Sequence, residues 1–151
     1  GFGFPAAMGV VSSPFTILND TLSQATFTDA TNGGRAAYHF NISRAGDYQV
    51  SALVDAPDTN ENSFFVNMDA EPTEATMIWD VPLTSGLARR TVSWRGDGDA
   101  DNAQFAPKVF QLLAGTHSLI IRGREANCRL GAITIALRTI EPPRSVQVLT
   151  D

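Results

Sequence analysis

Apolar and polar side chains alternate along this chain in short runs separated by turn residues. In "AAYHFNIS", Tyr38, Phe40 and Ile42 fall on one face and His39, Asn41 and Ser43 on the other. "AGD" at 45–47 reads as a turn, and "YQVSALV" resumes the alternation with Tyr48, Val50, Ala52 and Val54 on one side. "APDTNEN" at 56–62 is dense in turn formers. "SFFVNMD" at 63–69 then sets Phe64, Val66 and Met68 against Phe65, Asn67 and Asp69. "ATMIWDV" at 75–81 and "RTVSW" at 90–94 each predict a strand, with "PLTSGLA" as the loop between them. Further on come "PKVFQLL", an "AGTH" turn at 114–117, "SLIIRG" at 118–123, and "LGAITIAL" at 130–137 with Ile133, Ile135 and Leu137 in step. A period of two with recurrent turns, and almost no helical period, predicts an all-β sandwich or barrel. About eight or nine strands are expected, which fits a two-sheet antiparallel jelly roll. Residues 11–37 are the least regular, with "FTILND" as an early strand and "SQATFTDATNGG" as a long loop. The expected domain spans 1–138. "RTIEPPRSVQVLTD" has a Pro pair and no periodicity, so residues 139–151 read as a linker or tail joining other domains of a longer chain.

Length and charge narrow the function. A chain of 151 residues is long enough for one domain with a two-layer core. A net charge of -5, with 18% charged residues and no basic stripe, argues against nucleic acid as partner. No apolar run reaches the roughly 18 residues of a membrane span. Cys128 is the sole cysteine, which excludes an internal disulfide and a Cys-rich zinc site. Lys108 is the only lysine, and Asn, Asp, Thr and Gly are frequent. That composition points to an exported module, secreted or extracellular.

The order of the pieces resembles a known family. "AGDYQVSALVDAP", "NSFFVNMD", the tryptophans of "IWD" and "VSW", and the closing "FQLLAGTHSLIIRGREANCRLGAITI" are similar to successive segments of galactose-binding-like β-sandwiches. The match covers about residues 35–137. It resembles the non-catalytic carbohydrate-binding modules of that superfamily, related to families 6 and 35. The resemblance implies a domain that holds an attached polysaccharide-degrading enzyme on its substrate. Such modules commonly keep a structural calcium between an acidic residue near the N-terminus and an Asp early in the last strand. This chain has "FPAAMG" and Gly131 at those places.

Sugars are bound by rings stacked on the apolar face of a pyranose and by planar polar groups that fix its hydroxyls. Trp94, which ends a strand and opens a polar loop, and Trp79 are the candidate platforms; the alternative for each is a core position. Asn62, Arg122, Arg124, Glu125 and Asn127 are the candidate hydrogen-bonding partners, set against the alternative of solvated loop side chains. Arg122, Arg124 and Arg129 crowd the stretch "RGREANCR". Because Arg makes forked bonds to carboxylate and sulfate, this suggests a uronic-acid or sulfated polysaccharide, unless these side chains pair with neighbouring carboxylates.

"WRGDGDADN" places Asp97, Asp99 and Asp101 at alternate positions, like the first half of an EF-hand loop. The sixth and twelfth positions are Asn102 and Lys108 instead of Gly and Glu, so an EF-hand is excluded. A looser calcium site with Asn102 and backbone carbonyls stays open beside a solvated turn. His39 and His117 are the only histidines, and no Ser or Cys has a nucleophile context. The expected ligand is therefore a polysaccharide or oligosaccharide, bound without catalysis. The alternatives are a structural or protein-interaction spacer, which predicts two buried tryptophans and no concave polar site, and a small polysaccharide lyase or hydrolase.

Overall fold

The computed structural model describes residues 1–138; the expected tail at 139–151 lies outside the described residues. Twelve strands follow one another: β1 (Phe2–Phe4), β2 (Val10–Ser12), β3 (Thr16–Leu18), β4 (Thr21–Ser23), β5 (Arg35–Ile42), β6 (Gly46–Asp55), β7 (Ser63–Met68), β8 (Ile78–Asp80), β9 (Ala88–Thr91), β10 (Phe110–Leu112), β11 (Gly115–Gly123) and β12 (Arg129–Leu137). They form two antiparallel sheets. The seven-stranded sheet runs β10-β6-β12-β4-β3, with β1 added to β12 and β9 to β6; the five-stranded sheet runs β2-β5-β11-β7-β8. The expected all-β, two-sheet antiparallel sandwich is the observed architecture.

The alternation seen in the sequence is what closes the core. Tyr48, Val50, Ala52 and Val54 of β6 face inward with Ile133 and Ile135 of β12. Tyr38, Phe64, Val66, Leu119 and Ile121 face them from the other sheet. Leu130 and Ile133 are both buried although their odd spacing would put them on opposite faces of a regular strand. A register shift between them absorbs the extra residue, as a β-bulge does. Strand β7 is buried along its whole length, so its alternation separates two covered faces rather than an inside from an outside.

Several short elements depart from the expected ones. The segment 75–81 splits into a 3₁₀ turn, Ala75–Met77, and the three-residue β8. The predicted strand over 90–94 starts two residues and ends three residues earlier, as β9, and Ser93 makes only an isolated bridge to Pro107. Strands β1, β2 and β4 were not legible, because three residues are too few for a period of two to stand out. The long loop before β5 is held from inside by Gln24, which is 3% exposed. Its Nε2 donates to the Thr26 carbonyl and to Thr28 Oγ1, and its Oε1 accepts the Gly34 N–H.

Candidate functional site

Loops 56–62, 81–87 and 124–128 leave the sheets at the same end of the sandwich, and the long connection 92–109 folds over them. Between them lies a cleft of ≈ 540 Å³. Its polar wall is built around Ser63, the first residue of β7, which is fully buried. Ser63 Oγ donates to Glu125 Oε1 at 2.6 Å and accepts from Arg124 Nη1 at 2.8 Å. Glu125 Oε1 also accepts the Asn62 N–H at 3.2 Å. Asn62 is tied across to the next loop, its Nδ2 donating to the Val81 carbonyl at 2.8 Å and its own carbonyl accepting the Val81 N–H. Each of these side chains is thus held in place by backbone or by a neighbour, which lowers the entropy lost when a ligand binds.

Beside this wall, Asp80, the cross-strand partner of Ser63, forms an ion pair. Arg95 donates from Nε and Nη2 to the two carboxylate oxygens of Asp80, both at 2.8 Å. The two side chains are 12% and 8% exposed. The Asp80 hydrogen bonds push the Arg95 pKa upward, against the opposing effect of burial. Arg95 N–H also reaches the Ile78 carbonyl and Gly96 N–H the Thr76 carbonyl, so the start of the Asp-rich loop is fastened to β8 and the turn before it. That loop then carries Asp101, Asn102 and Phe105 to the cleft. Phe105 and Leu83, which also line the cleft, are each about half exposed. Burial lowers the Arg124 pKa, with repulsion from Arg95 adding to it. The Arg124 guanidinium lies 5.2 Å from the exposed Phe27 ring and 6.0 Å from Phe65. The cleft is therefore lined by two guanidinium groups, Arg95 and Arg124, and three carboxylates, Asp80, Asp101 and Glu125.

Of the residues singled out in the sequence, Asn62, Arg124 and Glu125 come together in this cleft, with Asp101 at its rim. The others do not. Trp79 is fully buried and packs on Phe64 with ring centroids 5.7 Å apart, so it is a core residue and offers no platform. Trp94 lies apart, in a second cleft with Asp47, Asp69, Lys108 and Gln111. Its Nε1–H donates to the Val66 carbonyl, and the Lys108 ammonium sits 4.0 Å from its ring centroid. Arg122 is a loop anchor: its Nη2 donates to the carbonyls of Thr31 and Gly33, both at 2.9 Å, and Glu71 lies 3.7 Å away. Asn127 forms a left-handed turn, φ 59°, with its N–H on the Gln24 carbonyl. The arginine cluster is thereby dispersed, because Arg122 belongs to β11, Arg124 to the loop after it and Arg129 to β12.

Of the three aspartates, Asp99 turns one carboxylate oxygen onto its own loop. Asp99 Oδ1 accepts the backbone N–H groups of Asp101 and Asn102, both at 2.9 Å, which makes it the cap of its own turn. Among the described residues no three His, Cys, Asp or Glu side chains converge so as to hold a metal ion. Phe105, Leu83 and the Asp80–Arg95 pair were missed in the sequence. A lone aromatic in the polar run "DNAQFAPK" was the available signal for Phe105; nothing marked Asp80 and Arg95 as partners.

No protein-family model and no curated protein matches the sequence. Solved structures do match the fold. The mannan-binding module from Man5C aligns with a TM-score of 0.55 and 13% identity, over 91% of this chain and 98% of that module. The C-terminal family 6 carbohydrate-binding module of LamC, a marine laminarinase from Zobellia galactanivorans, aligns with a TM-score of 0.53 and 13% identity, over 89% of this chain and 98% of the module. An exo-β-1,3-galactanase from Phanerochaete chrysosporium aligns with a TM-score of 0.62 and 17% identity, over 90% of this chain and 29% of that enzyme. A ruminal family 26 endo-β-1,4-mannanase is matched over 26% of its length, so this chain spans about a quarter of that protein. The chain shares the two-sheet antiparallel β-sandwich fold of the mannan-binding module and the family 6 carbohydrate-binding module.

Proposed function

We propose that this domain is a non-catalytic carbohydrate-binding module whose ligand lies in the cleft between Phe105 and the Asn62–Arg124–Glu125 wall. The observation that carries the reading is that a half-exposed ring and planar polar groups line one cleft. A pyranose laid on Phe105 would present its hydroxyls to Glu125, Asn62 and Arg124. Tethered to an enzyme on the same secreted chain, such a domain would raise the enzyme's local concentration on its polysaccharide.

The charge balance favours a neutral glycan over the acidic one suggested by the arginine cluster. Two guanidinium groups face three carboxylates in the cleft, and Arg95 is already forked to Asp80. A uronic acid or sulfate ester would meet net negative charge. The spacer reading anticipates the buried Trp79 but not the concave polar cleft.

Calorimetric titration with mannan, laminarin and β-1,3-galactan, beside a polyuronate and a sulfated glycan, tests the proposal. It should be run with calcium and with chelator, and the products assayed for new reducing ends. Saturable binding of a neutral glycan, weakened about tenfold in Phe105→Ala, is expected. Affinity unchanged by that substitution, or no binding to any glycan, would overturn it. Intrinsic fluorescence is a poor reporter here, because neither tryptophan lines the cleft.

A further inference from the structure

His117 lies at the other end of the same strands that build the cleft. Strand β11 starts at Gly115, beside the β10–β11 turn, and ends at Gly123, beside the cleft loops. Eight steps of roughly 3.3 Å separate those ends by about 26 Å. The His117 ring is held on both sides. Its Nδ1 lies 2.6 Å from Asp69 Oδ2 and its Nε2 lies 2.7 Å from the Leu113 carbonyl. Neither partner has a proton to give, since one is a carboxylate and the other a backbone carbonyl. Asp69 cannot turn to meet a neutral ring without loss, because its Oδ1 accepts the Ser118 N–H at 2.8 Å. Both contacts are hydrogen bonds only when both ring nitrogens carry protons.

We propose that His117 and Asp69 form a pH-sensitive clasp, shut while His117 is an imidazolium and loosened when it loses a proton. Three elements meet at the clasp: the end of β7 through Asp69, the turn after β10 through Leu113, and the start of β11 through His117 itself. Asp69 has φ 63°, in the left-handed region that Asp and Asn enter more readily than other non-glycine residues. From β5 the neighbour is the uncharged Phe40 ring, 5.9 Å away. Asp69 also borders the second cleft, where Asp47, Lys108 and Arg138 are the charged groups. The Leu113 carbonyl first and Asp69 second raise the His117 pKa above its ordinary value, against a smaller opposing effect of burial. A raised pKa in the folded state means that the clasp stabilises fully below about pH 6.5, the unfolded value. That stability is lost as pH rises through the folded pKa.

An NMR titration of the histidine ring protons tests this, with His39→Gln to assign the two signals. The His117 signal is expected to titrate above 6.5, and to move down toward it in Asp69→Asn, which keeps the acceptor for Ser118. Thermal unfolding should show wild type losing stability between pH 6 and pH 9 relative to His117→Gln. A His117 pKa at or below 6.5 would overturn the proposal. So would a constant difference in stability between wild type and His117→Gln across that range.

Discussion

Replacing Asp80 by Asn tests how the cleft wall is held. The carboxylate and the Arg95 guanidinium are 8% and 12% exposed and joined by two parallel bonds of 2.8 Å. Water screens such a pair far less than a surface one, whose worth is usually about 0–1 kcal/mol. Breaking it from one side leaves a desolvated guanidinium with half its acceptors gone, at a cost of about 3–5 kcal/mol. In a chain of this length that lowers the Tm by on the order of 10 °C. The same carboxylate ties the Asp-rich loop to β8, so glycan affinity should fall even where the variant remains folded. Thermal and urea unfolding of Asp80→Asn, Arg95→Met and an Asp80→Leu/Arg95→Met double variant, each followed by calorimetric titration, form the assay. The double variant should recover much of the stability, because an apolar pair carries no unpaired charge. It should not recover the affinity, because the fork that sets the loop is still missing. A loss under about 1 kcal/mol in Asp80→Asn would refute the reasoning, by showing that the pair behaves as a solvated one.

Other changes separate site from scaffold. Phe105→Ala should weaken glycan binding about tenfold with little change in Tm, since the ring is half exposed; a large Tm loss in unfolding experiments would make it a packing residue. Trp79→Ala should cost about 3–5 kcal/mol, because the indole is fully enclosed and leaves a cavity; a folded variant that loses only glycan affinity would restore Trp79 as a platform. Calcium should leave the Tm unchanged, because no three acidic side chains converge among the described residues; a Tm that rises with calcium concentration would place a metal in the protein.

The alternation of β5, β6, β7 and β11 was legible from the sequence because a buried strand face must repeat every second residue. Burial enforces that pattern locally, so it survives without knowledge of what packs on what. The bulge between Leu130 and Ile133 was not legible, since two correct periods joined out of step look like one broken period. Nor were the three-residue strands β1, β2 and β4. In the candidate site, "APDTNEN" at 56–62 and "RGREANCR" at 122–129 read as polar loops, although Arg122, Gly123 and Arg129 prove to be strand residues, and Asn62, Arg124 and Glu125 came from them. Their convergence on Ser63 depended on β7 and β11 being neighbours in register. Trp79 and Trp94 have the same composition around them as a sugar platform would, but exposure belongs to the packing and not to the residue. Asp97, Asp99 and Asp101 have the spacing of metal ligands, yet one turn aims Asp99 at its own backbone. Sequence alone determined which faces had to be buried. Only the tertiary structure decided which loop side chains meet, because that follows from strand order, and strand order is set by contacts between residues far apart in the chain.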